Sequence, residues 1–589
     1  MNKSSKRVIM TGNEAIALGA YEGGVSVGTA YPGTPSTEIL ENLSRYPGID
    51  CNWSANEKTA LEEAIGASIE GARVLAAMKH VGVNVAADPL MTLSYTGVGG
   101  GLVLVSADDP GMHSSQNEQD NRHYARFAKI PLLEPSDSEE ARDYVVAALE
   151  ISESFDTPVM LRTTTRISHS RGTLEMGERQ EHKAAGFIKN PAKYVMLPGF
   201  ARLRHPIVEE RLIALREEAE ISPLNRIEPG SPDLGVLCSG VVYQYAKEAL
   251  PDATFLKLGF SHPLPTGLVK KFASMVKEIL VIEELDPFFE DQLLAMHLDV
   301  PVRGKELFGL LGEIGAEVIR EKVLGQKPKL IETGLAIPGR PPVMCPGCSH
   351  RGVFHVLKKL KLNVMGDIGC YTLGALKPLE AIDSCICMGA SVGTALGMSR
   401  ANRESARKTV AVIGDSTFLH SGITPLLDAV YNNSPMTLMI LDNGITAMTG
   451  HQHHPGTGST LQGEPSHAVD LEALCRSLGV KRVFAVDAFD LKELRSRVKT
   501  ELEADETSVI ITRRPCIFML SSFDEPLYVD HQLCTGCKVC VGLGCPAISF
   551  KDEKSVINKT ICNACGLCEQ LCRFDAIKYP SGKDGAADE

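Results

Sequence analysis

The sequence predicts an α/β protein: two parallel-sheet domains, a third α/β domain between them, and a small cysteine-rich domain at the C-terminal end. Three observations carry this. Short apolar runs alternate with amphipathic segments of helical period through most of the 589 residues. A proline-rich stretch over residues 328–342 divides the alternation. Eight of the 17 cysteines lie between Cys534 and Cys572.

Composition narrows the class. Hydrophobic residues at 44% and charged residues at 23% fit a packed globular chain rather than a disordered or coiled-coil one. A net charge of −13 gives no support for nucleic-acid binding. No run of about 18 apolar residues is present, so no membrane span is expected. The polar, basic first ten residues lack the apolar core of a signal peptide. A cytoplasmic protein is expected, where disulfides are disfavoured and clustered cysteines point to metal or redox chemistry.

In chain order, helices are expected over 15–22 and 54–73, the second with Leu61, Ile65, Ile69 and Ala72 on one face. Strands are expected over 25–31, 102–106 and 159–162, the first running into the turn signal Pro32-Gly33-Thr34-Pro35. Residues 173–225 are charged and read as a connector with one exposed helix. Strands over 234–237, 254–258 and 278–283 then alternate with helices over 242–249 and 268–273. Glu283 and Glu284 read as a solvated strand end. A third alternation fills 344–515. The resulting domains are 1–175, 176–335, 336–520 and 521–580, with a Gly- and Ala-rich tail over 581–589 expected to be disordered.

The C-terminal motifs are Cys534-x2-Cys537-x2-Cys540-x4-Cys545 and Cys562-x2-Cys565-x2-Cys568-x3-Cys572. Three thiolates at two-residue intervals wrap one corner of a 4Fe-4S cubane, and the remote fourth serves the other cluster in two-cluster ferredoxins. Zinc is the alternative, but zinc sites usually pair two Cys-x2-Cys units. The segment resembles bacterial two-cluster ferredoxins. That implies one cluster on Cys534, Cys537, Cys540 and Cys572, and a second on Cys562, Cys565, Cys568 and Cys545. The sequence departs from that pattern in the four-residue gap before Cys545 and in Arg573, where proline is usual.

Gly414-Asp415-Ser416 ends one expected strand, over 409–413. Asp442-Asn443-Gly444-Ile445 ends the next, over 436–441. Asp415 and Asn443 then sit at the C-terminal edge of the sheet, where α/β folds bind ligands. A carboxylate and an amide oxygen suit magnesium, and glycine lets a diphosphate approach. A plain turn is the alternative, because Gly-Asp and Asp-Asn-Gly are common turn sequences. The spacing resembles the magnesium–diphosphate motif of thiamine-diphosphate enzymes. By that resemblance Gly414, Asp415, Ser416, Asn443, Ile445 and Thr449 hold the cofactor, with Asp415, the Asn443 side chain and the Ile445 carbonyl on Mg2+. Cys345-Pro346-Gly347-Cys348, Gly366-Asp367-Ile368-Gly369-Cys370 and Thr449-Gly450-His451-Gln452 extend it to the diphosphate domain of the 2-oxoacid:ferredoxin oxidoreductases. His451 stands where that family usually has glycine.

The N-terminal domain resembles the pyrimidine-binding partner of the same family. Tyr31-Pro32-Gly33-Thr34-Pro35-Ser36 resembles its substrate turn, which puts Thr34 beside the substrate. Glu57 matches the carboxylic acid that activates the aminopyrimidine, a proton-transfer task. Ser54-x-x-Glu57 also reads as a helix capping box, and Glu62 and Glu63 are rival acids. Cys345, Cys348 and Cys370 match positions that bind a third cluster in several members. A fourth ligand is needed, with Cys385, Cys387, Cys475 and Cys516 as candidates. Cys51 and Cys238 read as small core residues.

The domain order and the motifs from Ala107 to Asp120 and from Cys385 to Ser391 resemble, over nearly the whole chain, the α subunits of the aryl-pyruvate branch of that family. The resemblance implies thiamine diphosphate, Mg2+, oxidative decarboxylation of an aryl pyruvate such as indolepyruvate, acyl transfer to coenzyme A and electron delivery to ferredoxin. It also implies a smaller β subunit in an α2β2 assembly. The alternatives are a 2-oxoisovalerate or pyruvate enzyme of the same class, or an electron-transfer subunit without catalysis.

Overall fold

The computed structural model describes residues 7–328 and 334–580; the tail expected to be disordered lies outside them. The chain forms two compact units, Met1–Gly334 and Leu335–Glu589.

The first unit holds two sheets built on parallel strands. The larger has seven strands in the order Phe260–His262, Leu132–Leu133, Val159–Thr164, Leu102–Asp108, Val74–Lys79, Val27–Ala30 and Asp50–Trp53. Only the first pair is antiparallel. Val74–Lys79 and Leu102–Asp108 are buried along their whole length, as strands covered by helices on both faces must be. The helix expected over 54–73 is shorter, Glu57–Ile69. The residues after it turn into the strand Val74–Lys79, whose apolar run carries no alternation to distinguish it from helix.

The second sheet has the order Val302–Arg303, Ile279–Ile282, Ser231–Ser239, Ala253–Leu258 and Asn225–Glu228, the last strand antiparallel. The connector carries one long helix, Pro198–Ile221, with Val208, Arg211, Leu215 and Ala219 buried. One of its faces is therefore part of the core.

Buried charge joins the two sheets of this unit. Arg122 donates to Glu283 at 2.6 Å and to Asp120 at 2.5 Å. Arg162 donates to Asp108 and to Glu134, both at 2.6 Å, and Ser239 donates to Glu134. Glu283 and Glu284 are only 3% and 6% exposed, which corrects the expected solvated strand end. Glu283 is turned inward by Arg122 and by the backbone N–H of Phe289, and Glu284 accepts from the N–H of Ile314. Removing one member of such a set leaves an uncompensated buried charge, at a cost of about 3–5 kcal/mol.

The second unit carries five parallel strands in the order Asn363–Met365, Thr409–Gly414, Met436–Asp442, Thr507–Arg513 and Arg482–Asp487. The cysteine-rich segment has two small antiparallel pairs, Tyr528–Val529 with Ile577–Lys578 and Ile548–Lys551 with Lys554–Ile557. Its Leu543, Leu567 and Ile577 share one core with Val353, Phe354 and Leu494 of the α/β part.

Candidate cofactor and cluster sites

Thr409–Gly414 and Met436–Asp442 are hydrogen-bonded neighbours, with Gly414 opposite Leu441. Their common C-terminal edge puts Asp415 beside Asn443. Asp415 Oδ2 accepts from the backbone N–H of Asn443 at 3.1 Å and of Gly444 at 2.8 Å, and Oδ1 accepts from Ser416 N–H at 2.8 Å. Gly444 takes φ +72°, a conformation glycine reaches without strain. Gly414 has a packing reason of its own: a Cβ there would lie 2.7 Å from the Tyr371 ring.

The Asn443 amide tests the fit to a cation. One of its two terminal atoms lies 3.2 Å from Asp415 Oδ1 and 3.0 Å from the Ile445 carbonyl oxygen. With nitrogen at that terminus the group donates two hydrogen bonds. With oxygen there, three oxygens converge, and only a cation between them relieves their repulsion. In that second orientation Asp415, Asn443 and Ile445 could supply the hard oxygen donors that magnesium takes.

His454 was not legible as part of this site. It is buried, and Gly456 N–H donates to its Nδ1 at 3.1 Å. Its Nε2 lies 3.4 Å from Asp415 Oδ2. No periodic signal marks a residue in a loop eleven positions past Asn443. In the same loop Thr446 donates to the Ser416 hydroxyl at 2.8 Å, and Thr449 donates to Gln452 at 2.5 Å. His451 has φ +70° and its ring lies against Phe518 at 4.8 Å. Such a left-handed backbone is one that glycine adopts without strain, and here the Phe518 contact accompanies histidine.

In the first unit, Glu57 is the only buried acid of the three candidates, at 6% exposed. The capping box on Ser54 does not form. Asn56 caps the helix by accepting from Thr59 N–H at 2.9 Å, and Ser54 donates to Glu63 instead. Glu62 is exposed and pairs with Lys58. Gly82 lies against Glu57, and a Cβ there would come within 2.7 Å of its Oε1. The Thr34 carbonyl accepts from Ser114 Oγ at 3.2 Å.

The cysteines fall into sets. Burial pushes the Cys568 thiol up, and the nearby Cys565, Cys545 and Cys562 push it further. Cys545, Cys562, Cys565 and Cys568 line one small cavity, the grouping that the two-cluster spacing implies. Cys540 Sγ contacts Ser555 Oγ at 3.2 Å, and Cys572 Sγ accepts from Ala576 N–H at 3.3 Å. Cys345 and Cys370 both act electrostatically on Cys348, Cys516 and Cys345 act on Cys370, and Cys345 acts on Cys516. Of the four candidates for a partner to Cys345, Cys348 and Cys370, Cys516 is the one brought near Cys345 and Cys370. Cys385 and Cys387 are exposed, Cys475 lies in a separate core, and Cys51 and Cys238 are buried.

Three family models match segments of the chain. The family model "Thiamine pyrophosphate enzyme, C-terminal TPP binding domain" matches residues 367–512. "Pyruvate flavodoxin/ferredoxin oxidoreductase, thiamine diP-bdg" matches 18–210, and "4Fe-4S binding domain" matches 555–578. Fold, oxygen cluster and these matches define an enzyme of the 2-oxoacid:ferredoxin oxidoreductase type. The indolepyruvate oxidoreductase subunit IorA of Archaeoglobus fulgidus is 42% identical, with 97% of each chain covered. That of Pyrococcus horikoshii is 41% identical over 98% of this chain and 97% of its own. The chain belongs to the family of these IorA subunits. A ketoisovalerate oxidoreductase subunit VorB of Methanothermobacter thermautotrophicus is 25% identical over 30% of this chain and 53% of its own. No described helix is long and apolar enough to cross a membrane.

Proposed function

We propose that the chain is the catalytic subunit of a cytoplasmic oxidoreductase that converts an aryl pyruvate, indolepyruvate first among them, and coenzyme A to the aryl-acetyl-coenzyme A and CO2. Two electrons pass one at a time to ferredoxin, and a smaller β subunit completes the assembly. The observation that carries the reading is the convergence of the Asp415 carboxylate, the Asn443 amide and the Ile445 carbonyl in the same unit as the cysteine sets. The full-length likeness to indolepyruvate oxidoreductase subunits supports the substrate.

Asp415, Asn443 and the Ile445 carbonyl would hold Mg2+, and Gly414, Ser416 and Thr449 would line the diphosphate. Bound there, thiamine diphosphate supplies the electron sink for decarboxylation. Glu57, buried at the start of its helix, holds and moves the proton at the aminopyrimidine ring, and burial excludes water from that transfer. Thr34 lies on the turn expected to face the substrate. Cys534, Cys537, Cys540 and Cys572 form one cluster set, and Cys562, Cys565, Cys568 and Cys545 the second. Cys345, Cys348, Cys370 and Cys516 form a third.

Asp415→Ala should abolish binding of thiamine diphosphate and substrate-dependent dye reduction; turnover that survives would rule out the site. Indolepyruvate should be oxidised faster than pyruvate or 2-oxoisovalerate, and the reverse order would transfer the chain to the other branch of the class.

A further inference from the structure

Lys79 ends the strand Val74–Lys79 and is 8% exposed. Its ammonium donates to the Ser114 carbonyl at 2.7 Å and to Ser114 Oγ at 3.3 Å. An ammonium has three N–H donors, and among the described residues the third has no acceptor. Nor does a carboxylate pair with it. The carboxylate that acts on it is Asp109, but Asp109 Oδ2 is taken by Ser114 N–H and Ser115 Oγ, and Oδ1 by Thr165 Oγ1. Burial pushes the Lys79 ammonium down to about 8, with Asp109 only partly opposing. Buried lysines are rare unless paired, so this one lacks a counter-anion.

Its position says which anion. Gly33, in the substrate turn, lies close enough that a Cβ on it would sit 3.1 Å from Lys79 Cβ. Ser114, which holds the ammonium, also donates to the Thr34 carbonyl. Three residues on, Gly82 lies against the Glu57 carboxylate. Lys79 therefore ends its strand beside the turn that carries Thr34 and three residues before the glycine that touches Glu57. Thr34 and Glu57 are the two residues expected to face substrate and cofactor. Strand geometry enforces this, because Val27–Ala30 and Val74–Lys79 are adjacent and parallel, with Ala30 opposite Ala77.

We infer that Lys79 binds the carboxylate of the 2-oxoacid substrate, its free N–H and its charge completing the recognition that Thr34 begins. The inference rests on the functional reading above. A charge-assisted hydrogen bond is worth about 1.5–3 kcal/mol, which is a loss of about tenfold or more in affinity.

The test uses the assembled holoenzyme with Lys79→Gln and Lys79→Arg. For Lys79→Gln the expected result is a KM for indolepyruvate raised about tenfold or more, with thiamine diphosphate affinity within about twofold of the parent. Lys79→Arg, which keeps the charge, should restore most of the loss. Inhibition by an aryl-propionate and by its neutral amide gives a second readout. The parent should favour the carboxylate, and Lys79→Gln should lose that preference. An unchanged preference in Lys79→Gln, or loss of cofactor binding along with substrate binding, would overturn the assignment and leave Lys79 a structural residue. A parent enzyme that binds thiamine diphosphate but oxidises no 2-oxoacid would instead overturn the functional reading, and the assignment with it.

Discussion

Asp415 is fixed by three backbone donors from its own motif, and the buried His454 from outside it places Nε2 3.4 Å from Asp415 Oδ2. Groups behind a metal ligand typically set affinity by 10–100-fold, roughly. His454→Leu should weaken Mg2+ binding, measured calorimetrically in the presence of thiamine diphosphate, by about that factor. His454→Gln, which can place an N–H where Nε2 stands, should recover most of it. Glu57→Gln should keep the cofactor bound yet slow turnover by about 10²–10⁴-fold. The residue scale was also where the sequence was most ambiguous. Ser54 and Asn56 are both good caps, and only the fold shows that Asn56 takes the role while Ser54 turns to Glu63. His454 and Lys79 were invisible for a different reason: their significance lies in what reaches them from distant chain segments, and no local pattern encodes that.

At the scale of elements, the helix His80–Val85 presses Gly82 onto the Glu57 carboxylate. Gly82→Ala should displace Glu57 and cost activity while the thermal unfolding temperature changes little, because the clash falls on one side chain. The strand Asn225–Glu228 and the helix Val242–Ala249 meet at Glu228. Partial burial pushes this carboxyl up, but Lys247, Arg226 and Tyr243 outweigh it and hold it at about 2. Its ordinary value is 4.5, so the stability it supplies is complete above that pH and is lost as pH falls toward 2. The difference in melting temperature between the parent and Glu228→Gln should accordingly shrink over that interval. Elements with strong period or strong punctuation, such as Thr409–Gly414 and Val242–Ala249, were legible in the sequence. Val74–Lys79 and Phe260–His262 were not. The first is a continuous apolar run. The second is a short strand that leaves its own segment to extend the other sheet.

For the whole molecule, the thiamine-type and cluster regions were readable because each carries a chemically distinct motif, and cysteine spacing survives without any knowledge of the fold. The third cysteine set was only half readable. Cys516 stands 146 positions after Cys370, and folding alone brings it near. The Cys516 N–H donates to the Asn443 carbonyl at 2.9 Å, which ties this set to the proposed magnesium site. Iron analysis of anaerobically purified protein should give about twelve atoms per chain, and Cys516→Ala should reduce that to about eight.

The buried arginines of the first unit carry a consequence for heat. The hydration of charge weakens as temperature rises, so the penalty for keeping Arg122 and Arg162 away from water falls just as other sources of stability level off. The joint they make with Asp108, Asp120, Glu134 and Glu283 is therefore one that warming loosens least. Thermal failure of this unit should begin elsewhere, at its surface, and reach that joint last.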